Sequence, residues 1–231
     1  MLKDRQKSLL KKIIETFIKD AKPIASGLLV GKIKESVSPA TIRNEMANLE
    51  KEGFIFQPHT SAGRVPTEKA YQFYIDNYLD KNKKLSEKEL AILDELKKEE
   101  AEDRIKVKNF AKTIADLSKQ GVMVAFSECD NYYTGLSNIF SQPEFHDPNL
   151  VVNLSSVIDH LDSKIIDLFG KGEKEPEIML GNKNPMGKDC GLIVSSYQIG
   201  KFKGIIALLG PQRMDYQKNY LLLKEATKLI K

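Results

Sequence analysis

Arg43, Asn44 and Asn48 stand close together in the chain, interleaved with Ala40, Thr41 and Ala47. These types fit one chemistry. An arginine can grip guanine O6 and N7, an asparagine can grip adenine N6 and N7, and an alanine or a threonine methyl can touch the methyl of thymine. A little further on, His59, Thr60, Ser61 and Arg64 gather around Gly63. Their side chains can donate to phosphate oxygens or enter a minor groove. Both groups lie in one stretch, residues 37–67, VSPATIRNEMANLEKEGFIFQPHTSAGRVPT.

The elements expected in that stretch position the two groups. Ser38 offers a side-chain oxygen as N-cap, and Pro39 sits at the first helical position, where its missing N–H costs nothing. The helix runs on to Gly53, which can adopt the left-handed conformation that ends helices. At ~100° per residue, Ile42, Met46 and Leu49 share one side and face a core. Ala40, Arg43, Asn44, Ala47 and Lys51 share the other, flanked by Thr41 and Asn48. For the helix alone, an ordinary amphipathic surface helix explains the pattern equally well. The next residues tip the balance. Phe54, Ile55 and Phe56 favour a strand, Gln57-Pro58-His59 leaves it, Thr60-Ser61-Ala62-Gly63 turns, and Arg64-Val65 returns. A strand–turn–strand placed directly after such a helix is the wing of a winged helix-turn-helix. Ser38, besides capping, can donate to phosphate.

The run SPATIRNEMANLEKEGFIFQPHTSAGRVPTEKAYQFYID, residues 38–76, resembles the N-terminal signature of the HrcA family, the heat-inducible transcription repressors. GLSNIFSQPEF at 135–145 and GIIALLGPQRMDY at 204–216 resemble the same family. The resemblance implies a GAF-like domain in the C-terminal half. It also implies an operator, the inverted-repeat CIRCE element ahead of chaperone operons, and a feedback partner, the GroE chaperonin, which keeps such repressors active. The chain departs from the family pattern in one respect. Between about Phe126 and Gly135 there is no room for the family's inserted dimerising domain, so the chain resembles a short member that lacks it.

Composition agrees with a soluble globular protein: 41% hydrophobic and 29% charged residues over 231 positions. No apolar run approaches the ~20 residues that cross a bilayer. The charged start, MLKDRQKSLLKK, has no signal-peptide core, so a cytoplasmic location is expected. The net charge of +4 is unevenly placed. Residues 1–66 hold 12 Lys+Arg against 7 Asp+Glu, and the remainder 24 against 25. The positive excess thus sits in the N-terminal segment, as contact with a polyanion requires. Cys129 and Cys190, with His59, His146 and His160, show no metal-ligand spacing, and both cysteines read as small buried residues.

In order along the chain, residues 3–20 read as a first helix with Leu9, Leu10, Ile13, Ile14, Phe17 and Ile18 as its stripe. A short second helix follows over 27–33, with Leu28, Leu29 and Ile33 as core candidates, then a turn at 34–37. Thr67 caps a helix rich in aromatics, Tyr71, Phe73, Tyr74 and Tyr78. Core packing is preferred for these over base stacking. After the polar segment 80–85, Ser86 and Glu89 form a capping box, and helices continue to about Ser118. From Gly121 the pattern changes to strands and loops: a strand over 121–126, a helix over 150–169, a short strand over 177–180, and a hairpin of 191–197 with 203–209 before a last helix from about Tyr216. GNKNPMGKDCG at 181–191 lacks the spacing of a phosphate loop and reads as a flexible loop.

The expectation is an α+β chain: a winged helix-turn-helix DNA-binding domain over 1–80, a helical linker over 81–120, and a GAF-like regulatory and dimerisation domain over 121–231. Its partner is double-stranded DNA, bound by a homodimer, since one winged helix reads only a short half-site. No cofactor, metal or membrane is expected. A ligand-sensing or docking module is the alternative class. An enzyme finds no support, because no nucleophile–base pair, metal cluster or acidic dyad stands out.

Overall fold

A computed structural model describes residues 2–32, 38–160, 164, 168–169, 175–200 and 202–230. The chain forms two compact units, Met1–Leu79 and Asp80–Lys231.

The first unit opens with helix α1 (Asp4–Asp20), which buries Leu9, Leu10, Ile13 and Ile14. It ends where Ala21 turns left-handed at φ 51°. The short helix expected over 27–33 is instead a single 3-10 turn, Ser26–Leu29. Four residues cannot turn two adjacent leucines inward, so Leu29 is buried while Leu28 is 51% exposed. Ile33 and the turn at 34–37 fall outside the described residues.

Helix α2 (Pro39–Lys51) begins as its sequence dictates. Ser38 Oγ accepts from the Thr41 N–H at 3.2 Å, and proline occupies the first turn. Gly53 at φ 75° closes the helix. Strands β1 (Ile55–Phe56) and β2 (Val65–Pro66) pair antiparallel, Ile55 opposite Pro66 and Phe56 opposite Val65. Helix α3 (Glu68–Tyr78) is capped by Thr67. Of its aromatics Tyr71 is buried, whereas Phe73, Tyr74 and Tyr78 are half-buried; Phe73 meets Phe54 edge-on at 5.7 Å between ring centroids.

The second unit is built on one antiparallel sheet. Its strands are β3 (Gly121–Ser127), β4 (Asp130–Thr134), β5 (Glu177–Met179), β6 (Cys190–Ile199) and β7 (Phe202–Pro211), in the order β4-β3-β7-β6-β5. The β6–β7 hairpin turns tightly at Gly200, whose φ of 54° suits glycine. Pairing of Val122 with Leu208, and of Leu208 with Ile193, sets the faces. Met123, Ala125, Leu192, Val194, Ile205, Ala207 and Leu209 share one face. They pack with Ile139 of α6 (Leu136–Phe140), Phe145 of the 3-10 turn Pro143–His146 and Leu154 of α7 (Pro148–Asp159). Most of the helix expected beyond Asp159 lies outside the described residues. The opposite sheet face is covered by α5 (Asp103–Ser118) and α8 (Tyr216–Leu229). Burial of both faces explains the near-continuous apolar runs of β3, β6 and β7.

Helices α4 (Glu87–Lys98) and α5, in the segment expected as a linker, pack into this second unit, and α4 lies against α5 and α8. The polar stretch before them is tied down: the Asp80 N–H donates to Gln217 Oε1 and Gln217 Nε2 to the Asp80 carbonyl, both at 2.8 Å. The loop at 181–191 is likewise anchored. Asn184 is buried, its Nδ2 donates to the Cys190 carbonyl at 2.8 Å, and its Oδ1 accepts from the Met186 N–H at 2.9 Å.

Candidate nucleic-acid interface

The exposed face of α2 carries the residue types singled out from sequence. Ala40, Arg43, Asn44, Ala47 and Asn48 are exposed, as is the capping Ser38, while Thr41 is half-buried. Beneath them Ile42, Met46 and Leu49 are buried, which fixes the roll of the helix. Thr41 is turned toward the cap, with its Oγ1 2.9 Å from Ser38 Oγ. Arg43 thus points away from the core beside two amide side chains and two small residues, a surface that admits close approach of a base edge.

Sequence reasoning missed the group that holds this helix to α1. Glu45 is buried, and Arg5 reaches it across the unit, with Nη2 at 2.8 Å and Nε at 3.2 Å from Glu45 Oε1. Burial pushes the Glu45 carboxyl up, but the hydrogen bonds and charge of Arg5, with help from Gln6 and Asn48, hold it below the ordinary value. A glutamate on an otherwise apolar face is the visible signal. Its partner, forty positions away, is not.

The turn between β1 and β2 presents His59, Thr60 and Ser61, all exposed. Arg64 is placed differently. It is half-buried, its Nε donates to Glu50 Oε2 of α2 at 3.0 Å, and its backbone forms a bridge with Ile24. Gly63 is required there, because a Cβ at that position would lie 2.5 Å from the Ile24 carbonyl carbon. Gln57, also missed from sequence, spans the turn with both amide protons, donating to the Thr60 carbonyl at 2.8 Å and the Ala62 carbonyl at 2.9 Å. Chemically the unit offers a guanidinium and amides on a helix, and hydroxyls and an imidazole on a braced turn. All are suited to phosphates and base edges.

Other chemistry finds less to work with. Among the described residues, no three His, Cys, Asp or Glu side chains are grouped to hold a metal ion. No described helix is long and apolar enough to cross a membrane. Cys190 is buried, and burial with the nearby Asp189 pushes its thiol up to about 12. Cys129, expected to be buried, is exposed on the turn between β3 and β4, where a two-residue connection leaves nothing to cover it.

Fold and surface together define a protein of two units, a small helical one with an exposed polar helix and hairpin, and an α+β one around an antiparallel sheet. The model of the HrcA protein C-terminal domain matches residues 73–219. The chain therefore belongs to the HrcA family, the heat-shock transcription repressors. A crystal structure of a hypothetical protein shares the fold, with a TM-score of 0.78 at 19% identity over 100% of this chain and 98% of that one. The HmgR of Pseudomonas aeruginosa (TM-score 0.32, 11% identity, 98% and 96% covered) and the IclR of Thermotoga maritima (0.31, 13%, 96% and 95%) are also matched.

Proposed function

We propose that this chain represses chaperone operons by binding a CIRCE-type inverted repeat in duplex DNA as a homodimer. Its first unit acts as a winged helix-turn-helix, and its activity is maintained by the GroE chaperonin. In this reading α2 enters the major groove. Arg43, Asn44 and Ala47, with Ala40, Thr41 and Asn48, face base edges and neighbouring phosphates, and Ser38 caps the helix beside a phosphate. His59, Thr60, Ser61 and Arg64 form the wing contact, with Arg64 also bracing the wing against Glu50. The GAF-like second unit carries regulation and pairing of two copies.

One observation carries the reading. A helix with an arginine, two asparagines and small residues on its exposed face is followed at once by a braced polar turn, in a member of a repressor family. Two-fold pairing of half-sites supplies the specificity that one such helix lacks. The test is fluorescence anisotropy of the protein on a labelled CIRCE-type repeat beside a scrambled duplex, at two salt concentrations, with and without chaperonin. Preference for the repeat that survives higher salt supports the reading. Equal, steeply salt-dependent binding to both duplexes reduces it to non-specific DNA contact, and no binding to either, with or without chaperonin, removes it.

A further inference from the structure

We infer that Gln57 is a positioning residue of the DNA-reading surface, holding the wing in its binding shape before DNA arrives. The inference rests on the reading proposed above and goes beyond it, because Gln57 was not among the contact residues and its part is played within the protein.

The hairpin is too short to fix its own turn. Only two residue pairs join β1 and β2, and a hairpin of that length has little independent stability. Across the turn, the Ala62 N–H donates to the His59 carbonyl at 2.8 Å, which defines a local bend and leaves its tilt free. Below it, the Arg64 N–H and carbonyl pair with Ile24 at 2.9 and 2.8 Å, anchoring the returning strand to the body of the unit. Between these two points the Gln57 amide is the tie. A primary amide has two N–H protons, and Gln57 gives one to the Thr60 carbonyl and one to the Ala62 carbonyl. Those carbonyls flank Ser61. The side chains of His59, Thr60 and Ser61 therefore project from a backbone held on both sides of the tip.

The chemistry of the residue fits that task. Gln57 is half-buried and neutral, so it adds no charge that would itself attract or repel DNA. A turn held in its bound shape loses less freedom on association than one that must be ordered there, so removing the tie weakens binding without deleting a contact. Salt dependence counts the phosphates neutralised by Lys and Arg, and Gln57 neutralises none.

Gln57→Met in the full chain keeps the length and neutrality of the side chain and removes both donors. It is compared with wild type by amide hydrogen exchange without DNA, by the unfolding midpoint, and by binding to the CIRCE-type repeat at two salt concentrations. The expected result is faster exchange over residues 59–63 with an unchanged unfolding midpoint, about three- to tenfold weaker binding, and an unchanged salt slope. Unchanged exchange would overturn the assignment, including the case where binding falls, since Gln57 would then be a contact and not a tie. Faster exchange with unchanged affinity would overturn it too, because the shape of the wing would not matter to binding. Failure of the wild-type protein to bind any duplex would instead remove the DNA reading itself, and the wild-type titration reports that separately.

Discussion

Arg64 Nε donates to Glu50 Oε2 at 3.0 Å, joining the returning strand of the hairpin to the end of α2. The arginine before β2 and the helix that carries Arg43 are thus mechanically linked, and Arg64 has two duties in the proposed function. Both side chains of this half-buried pair keep some contact with solvent, which limits what it contributes to folding. Arg64→Ala should therefore cost at most about 1 kcal/mol in urea denaturation, while binding to both the repeat and a scrambled duplex falls. A large loss of stability with unchanged binding would assign Arg64 to folding alone.

The Arg5–Glu45 pair makes a prediction in pH. Its partner holds the folded carboxyl below the ordinary 4.5. The contribution is therefore fully present above that value and is lost as pH falls through the lower, folded one. Arg5→Ala leaves a buried carboxylate without its cation and should cost about 1–3 kcal/mol near pH 7. In that variant burial is opposed only by the hydrogen bonds of Gln6 and Asn48, so the Glu45 carboxyl moves up from its wild-type position and the stability gap to wild type should narrow as pH drops below 4.5. Denaturation curves of both proteins between pH 7 and 3 measure the gap. A constant gap would mean that Glu45 is not the group Arg5 stabilises.

In the second unit Arg213 binds both carboxylate oxygens of Glu144, and its Nη2 also reaches Gln142 Oε1 at 2.7 Å. Gln142 in turn donates to the Lys119 carbonyl at 3.2 Å. The two family-like stretches of this half, 135–145 and 204–216, therefore meet in one polar clasp that joins the β7–α8 connection to the layer over the sheet. Arg213→Ala should destabilise the unit by about 2–4 kcal/mol, because it strands a partly buried carboxylate. Arg213→Lys should recover only part of this, as an ammonium cannot reproduce a bidentate fork. Chemical denaturation followed in the second unit reads both, and full recovery by lysine would show that charge alone matters.

The cysteines offer a test of the same sheet. Cys129 is exposed, whereas Cys190 opens β6 with its thiol pushed up to about 12. A thiol reagent at pH 8 should label Cys129 in the native protein and Cys190 only on unfolding. Mass spectrometry of digested samples gives the order. Equal labelling of both in native protein would contradict the burial of β6.

Local signals were the legible ones. Ser38-Pro39 and Gly53 mark the two ends of α2, and the spacing of Ile42, Met46 and Leu49 sets its buried side, so its exposed side follows without knowledge of the rest. The strands were readable because burial on both faces makes them continuously apolar. What was hidden depends on distant partners. Glu45 stands out on the apolar side of α2, but nothing local shows that Arg5 is its partner. Residues 80–85 look like a free polar link until Gln217 is found holding Asp80. The Gln57 tie exists only once the turn has its shape, since it is made to backbone carbonyls that any residues could supply. Leu28 shows the reverse: its apolar side chain next to Leu29 predicts burial, and the 3-10 turn leaves it outside.

The central claim is that α2 reads sequence, and Arg43→Ala tests it most directly. Its affinity is measured on a CIRCE-type repeat and on a scrambled duplex of equal length at one salt concentration. A bidentate contact to guanine predicts a loss of about 1–3 kcal/mol on the repeat and a much smaller loss on the scrambled duplex. An equal loss on both would make Arg43 a phosphate anchor, and no loss on either would contradict the placement of α2 against DNA.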